Sequence, residues 1–309
     1  MGGHTSATLG IFPGGENSCP SRAEPWTRTS ALDAPRAAWY SQGMSYKPAR
    51  TVYQFPISHY SEKTRWCLDA KGLVYTTKDL VPGLHAMVAR RLSGTQTVPI
   101  LADRGQVMGD SSAIALYLDR AYPDLPLLPR DEQARARALE LEDYFDEQVG
   151  QSMKRWFYGE LMASARGRAA AAVFEQYPLP VRILGKLIAP GLERVLRTRE
   201  RITPESIEQA RATLLEAADR LEREIGGDPS RYLVGDALTL ADITAASLFA
   251  PLVAPPGSPY TRSPNDLPPR IEELRRALRE RPAGRWVTER YRFDRKAGAG
   301  RAKAEARAT

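Results

Sequence analysis

The stretch VPILADRGQVMGDSSAIALYLDRAY, Val98 to Tyr122, decides the fold. VPILAD and GQVMGD flank Arg104-Gly105, which is the pattern of a β-hairpin. Ser111 to Tyr122 carries apolar residues at helical spacing and stops at Pro123. Asp110-Ser111 therefore puts a carboxylate and a hydroxyl at a helix start, beside its unpaired N–H groups. Val98-Pro99 sets an exposed backbone edge next to a proline turn. The edge suits a peptide backbone and the helix start suits a charged end. A small peptide-like thiol cofactor is the leading ligand. Taken alone, each half has a plainer meaning: Pro99 as a trans edge-strand proline, since few X–Pro bonds are cis, and Asp110-Ser111 as a helix cap.

Upstream, TVYQF from Thr51 reads as a strand and SHYSEKTRWCLDAKG from Ser58 as a helix ended by Gly72. VYTTKDL is a second strand, and Leu84 to Leu92 is helical. Strand-helix-strand-helix-strand-strand-helix predicts a small mixed sheet covered by helices, an α/β domain over residues 48–127. Beyond the proline-rich DLPLLPRD the pattern is helical throughout, over residues 132–293. A long helix runs from Glu132 to about Ala163, another from Leu179 to about Arg199, and a third from Thr203-Pro204 to Ile225. Further helices begin at Thr239 and near Arg270. Residues 1–43, rich in Gly, Ser, Pro and Ala, read as a disordered extension, with Met44 a candidate true start. Residues 294–309 read as a disordered basic tail.

A chain of 309 residues with 42% hydrophobic content has room for two such domains. Its net charge of +7 raises the question of nucleic acid or an anionic membrane. In RDEQARARALELED and IEELRRALRERPAGR, however, arginines alternate with glutamates as on solvated helical faces, and no nucleic-acid motif accompanies them. Neither partner is expected. The most apolar stretch, Val181 to Leu196, is interrupted by Lys186, Pro190 and Glu193 and is not a membrane span. Cys19 and Cys67 form neither a disulfide framework nor a zinc site, so a reducing cytoplasm is the expected compartment and no metal is expected.

Ser58 is the leading chemical residue. It is placed to cap a helix, and equally to aim a hydroxyl at a thiolate bound there. Lowering a thiol pKa by about two units takes roughly 2.7 kcal/mol. One or two hydrogen bonds to a charged sulfur supply about 1.5–3 kcal/mol each. Ser61 follows three residues on, so Ser-x-x-Ser stands where a redox protein would carry two cysteines, and disulfide exchange is excluded there. Cys67, beside Trp66, reads as packed. Thr239-Leu240-Ala241-Asp242 fits a structural capping box with Asp in place of Glu or Gln.

Together FPISHYSEKTRW, VPIL, GDSSAIALYLDRAYP and YLVGDALTLADITAASLF resemble the soluble glutathione transferase superfamily, in order and spacing, from roughly Thr51 to Tyr291. The resemblance implies a thioredoxin-like N-terminal domain with a mixed four-stranded sheet, followed by an all-α domain. It implies a cis Pro99, and a Val98 backbone that receives the cysteinyl part of glutathione. Asp110 and Ser111 would hold the γ-glutamyl end. Ser58 would activate the thiol, as in serine-type members, with Tyr53, Tyr60 and Ser61 as alternates. The implied function is a glutathione transferase joining the thiol to an apolar electrophile, and the implied assembly a cytoplasmic homodimer. Alternatives are a glutathione-dependent isomerase, dehalogenase or ether-cleaving enzyme, and a non-catalytic binding or scaffold module. SGTQTVP departs from the common segment before the proline, and no lysine nearby would pair with the glycine carboxylate, leaving Arg90 or Arg91. Tyr144, Trp156 and Phe157 are candidate lining for the second substrate.

Overall fold

The computed structural model describes residues 50–164, 173–262 and 267–295. The expected extension 1–43, Met44 and Cys19 lie outside the described residues, as does most of the expected tail.

The N-terminal half begins with β1 (Arg50–Gln54), α1 (His59–Ala70), β2 (Thr76–Asp79) and α2 (His85–Ser93). It continues with β3 (Ile100–Asp103), β4 (Gln106–Gly109) and α3 (Ser111–Ala121). The sheet order is β2-β1-β3-β4. β1 runs parallel to β2, with Val52 opposite Thr77, and antiparallel to β3, with Val52 opposite Leu101. β3 and β4 form the hairpin foreseen at Arg104-Gly105. Both turn residues have positive φ, 50° and 80°, as a tight two-residue hairpin with right-twisted strands requires, and Gly105 meets that without strain. Val52, Ile100 and Leu101 are fully buried, so the central strands face the core. β2 is a fully exposed edge, TTKD, whose Lys78 discourages further pairing. This is the mixed four-stranded sheet of a thioredoxin-like domain.

The helical half contains α4 (Glu132–Phe145), α5 (Gln151–Ser164), α6 (Leu179–Arg199), α7 (Pro204–Glu224), α8 (Leu240–Val253), α9 (Pro269–Glu280) and α10 (Pro282–Arg290). The single long helix expected from Glu132 carries a π-helical turn at Asp146–Gly150, between α4 and α5. Such a turn re-aims side chains and is frequent at functional sites. Every residue of α8 is buried, which its all-round apolar sequence requires. Asp242 starts that helix: it accepts from the Leu233 amide (2.8 Å), the Thr239 amide (2.8 Å) and the Thr239 hydroxyl (2.7 Å). Burial pushes its carboxyl up to about 6 against those hydrogen bonds.

Buried ion pairs join the two halves. Lys63 of α1, fully buried, donates to Ser112 Oγ (2.9 Å), to Asp146 (2.6 Å) and to Glu142. Burial favours a neutral Lys63, but Asp146 and Glu142 outweigh it and raise the ammonium pKa. On another side of α1, Arg295 pairs with Glu62 (2.9 Å) and with Asp69. Burial would raise the Glu62 carboxyl, yet Arg295 and Arg65 hold it at about 2. These contacts keep the chain helical through Arg295, two residues into the segment expected as tail.

Candidate active site

The N-terminal elements converge on one cavity of about 340 Å3, roofed by the helical half. Ser58 follows β1 through a turn closed by its amide on the Phe55 carbonyl (3.1 Å). It is the N-cap of α1, accepting from the Ser61 amide at 3.3 Å. A hydroxyl carries one proton and two acceptor sites, so that cap leaves the Ser58 proton able to donate into the cavity it lines. Capping and thiol activation are therefore compatible uses of one side chain.

Val98-Pro99 is cis and lines the same cavity. Among the described residues, the Val98 amide and carbonyl make no hydrogen bond. Asp110 and Ser111 complete the wall. Asp110 caps α3 by accepting from the Ala113 amide at 2.8 Å through Oδ1, which leaves Oδ2 for a ligand cation. Its φ of 72° is a conformation that glycine would adopt freely and aspartate only at about 1–3 kcal/mol.

Of the alternate hydroxyls, only Tyr60 reaches the cavity. Burial, followed by Asp146, Glu200 and Asp110, raises its phenol far above the usual value, so it stays a donor. Its ring lies against Gly150, where any Cβ would collide with the hydroxyl. Tyr53 sits in the sheet under Lys78, whose ammonium is 5.4 Å from the ring, outside the cavity lining. Ser61 is fully buried in α1 and also outside it. Cys67 is buried and its thiol is pushed up to about 12 by burial, which makes it inert.

Among the cavity residues that escaped the sequence pattern are His59, His85, Lys154 and Arg199. Burial pushes the His59 ring down to about 3, with Lys154 and Lys63 adding to it, so it is neutral near pH 7 and a poor base. His85 accepts from the Gly83 amide (3.2 Å) and meets Phe55 edge-on at 4.8 Å. Burial lowers its pKa, with Arg199 contributing. Lys154 pairs with Glu200 at 3.0 Å. Arg90 and Arg91 are exposed on α2 and outside the lining, so the lysine and arginine beside the site are Lys154 and Arg199 instead. Phe157 lines the cavity, whereas Trp156 is core and Tyr144 packs against Phe145 and under Arg220. No group of His, Cys, Asp or Glu among the described residues is arranged to hold a metal.

Residues 52–130 match the family model described as glutathione S-transferase, N-terminal domain, and residues 204–280 the model of its C-terminal domain, together half of the chain. The chain belongs to the glutathione S-transferase family. Glutathione S-transferase 1 of Dianthus caryophyllus is 38% identical over 88 residues, 28% of this chain and 40% of that protein. The match thus spans well under half the length of that transferase. Two solved structures share the fold. The beta-etherase LigF of Sphingobium sp. strain SYK-6 has a TM-score of 0.51 at 21% identity, covering 78% of this chain and 99% of that one. A glutathione S-transferase of Ceriporiopsis subvermispora, solved in complex with glutathione, has 0.53 at 19% identity, covering 81% and 97%. The thioredoxin-like and helical halves of the transferase fold are both present.

Proposed function

We propose that this transferase-family chain binds glutathione in the cavity and activates its thiol through Ser58 for attack on an apolar electrophile. The observation that carries this reading is the Ser58 hydroxyl at the start of α1, its proton unspent, on one wall with Val98-Pro99 and Asp110-Ser111. The residues fit the tripeptide. The Val98 backbone offers strand-like hydrogen bonds to the cysteinyl unit, as in β-augmentation. Asp110 offers a carboxylate to the γ-glutamyl ammonium, and the α3 N-terminus offers N–H groups to its carboxylate.

Ser58 donates to the sulfur anion, and the α1 N-terminus adds its partial positive charge. The thiol proton leaves to solvent, since neutral His59 with a pKa of about 3 does not hold it near pH 7. The sulfur then forms a bond to the electrophilic carbon and the leaving group departs with its electron pair. Phe55, Phe157 and Tyr158 give the neighbouring wall an aromatic, largely apolar character suited to an aryl or alkyl electrophile. A homodimer belongs to this reading.

Incubation with glutathione and an electrophilic aryl halide, with the thioether measured by mass spectrometry, tests it. The expected result is product above the uncatalysed rate, reduced in Ser58→Ala. Glutathione binding with no product from a panel of aryl, alkyl, epoxide and ether substrates would favour a binding module.

A further inference from the structure

α6 carries two apolar faces. Val181, Ile188, Ala189, Leu192 and Leu196 turn inward, and Gly185 lets Phe174 pack directly on the helix backbone. Leu179, Ile183 and Leu187, at i, i+4 and i+8, point outward, with Leu187 75% exposed. α2 and its N-cap also expose apolar residues: Leu84, Met87 and Val88, Met87 at 72%. The turn leading into α2 meets α6, since a Cβ on Gly83 would lie 3.9 Å from Ile188. Both also wall the cavity, through Gly83 and His85 on one side and Leu192, Leu196 and Arg199 on the other.

The charge beside these exposed residues is predominantly basic. α6 exposes Arg182, Lys186, Arg194 and Arg197, with Glu193 its one acid, and α2 contains Arg90 and Arg91 with no acid. A second copy docking here about a two-fold axis would set each basic cluster against its own image. An apolar stripe on the exposed side of a helix, flanked by lysine and arginine, is instead the pattern of a helix lying in a lipid interface. At 21 residues α6 is about 30 Å long, and it lies along a surface where its interrupted sequence would not span one.

We propose that the exposed faces of α2 and α6 dock this protein on an anionic membrane surface. The cavity between them then takes its electrophile from the lipid phase, a lipophilic molecule rather than a polar solute. The docking needs no glutathione; the delivery rests on the function proposed above. Charged helices elsewhere argued against a membrane partner in the sequence, but they do not include this face.

Co-sedimentation with vesicles of phosphatidylcholine, with and without phosphatidylglycerol, tests the docking. Binding to the anionic vesicles is expected, weakening with salt, with little binding to the neutral ones. Ile183→Asp/Leu187→Asp should abolish it. Arg182→Gln/Lys186→Gln should weaken it roughly 25-fold, at about fivefold for each basic residue near an anionic surface. Both variants should keep full turnover of a water-soluble electrophile. No anionic-vesicle binding at low salt, or binding unchanged in both variants, would overturn the proposal. So would loss of self-association or of an acidic protein partner in the variants without any change in vesicle binding. Vesicle binding in a protein inactive toward every electrophile would leave the docking standing and remove only the delivery.

Discussion

Replacing Ser58 separates its two uses. As N-cap it holds the Ser61 amide at 3.3 Å, a long hydrogen bond, so Ser58→Ala should cost about 0.5–1 kcal/mol of stability, the lower part of the range for lost caps. As thiol partner it loses a hydrogen bond to an anion, about 1.5–3 kcal/mol. That corresponds to a bound-thiol pKa about one to two units higher and a rate roughly 10- to 150-fold lower when the thiol is mostly protonated. Ser58→Gly distinguishes the effects, because glycine caps almost as well as serine and lacks the hydroxyl. Stopped-flow titration of thiolate absorbance in the enzyme–glutathione complex reads the pKa, and thermal unfolding reads the cap. Both variants should show the same pKa rise, while only Ser58→Ala loses measurable stability. An unchanged thiol pKa in Ser58→Gly would refute this role and shift it to Tyr60, the other alternate hydroxyl in the cavity.

Three further substitutions test the surroundings. Asp110→Asn keeps a good cap and a residue tolerant of positive φ but loses the charge. Stability should hold within about 0.5 kcal/mol while glutathione affinity falls roughly 5- to 150-fold by calorimetry, from about 1–3 kcal/mol. Lys63→Met leaves Asp146 and Glu142 unpaired and should destabilise by about 3–5 kcal/mol in denaturant unfolding. That penalty should shrink as pH falls, because Asp146, already raised by burial, takes up a proton. Asp242 has a folded pKa of about 6 against an ordinary 3.8, so its contribution is fully present below pH 4 and declines as pH rises through 6, by up to about 3 kcal/mol. The stability gap between wild type and Asp242→Asn should therefore narrow from pH 4 to pH 7.

Local chemistry is what the sequence expressed best. Arg104-Gly105, Ser58, Asp110 and Thr239-Asp242 each specify a turn or a helix start with a few adjacent residues, and each stands where its chemistry put it. The π-helical turn at Asp146–Gly150 was not legible. The apolar period continues through it, and what it accommodates is tertiary: Lys63 reaching Asp146, and Tyr60 filling the space over Gly150. The cis bond at Val98-Pro99 was not legible from the dipeptide either; only the resemblance carried it. His59, His85, Lys154 and Arg199 meet in the cavity from four helices, with no spacing to link them. The outward face of α6 was hidden because two apolar faces on one helix read as a single broad hydrophobic pattern.

Calorimetric titration of glutathione at a pH below its free thiol pKa, in two buffers of different ionisation enthalpy, tests the central claim most directly. Thiolate binding at Ser58 predicts saturable heat and the net release of about one proton, readable from the buffer dependence. Binding that releases no proton, or no binding at millimolar glutathione, would contradict it.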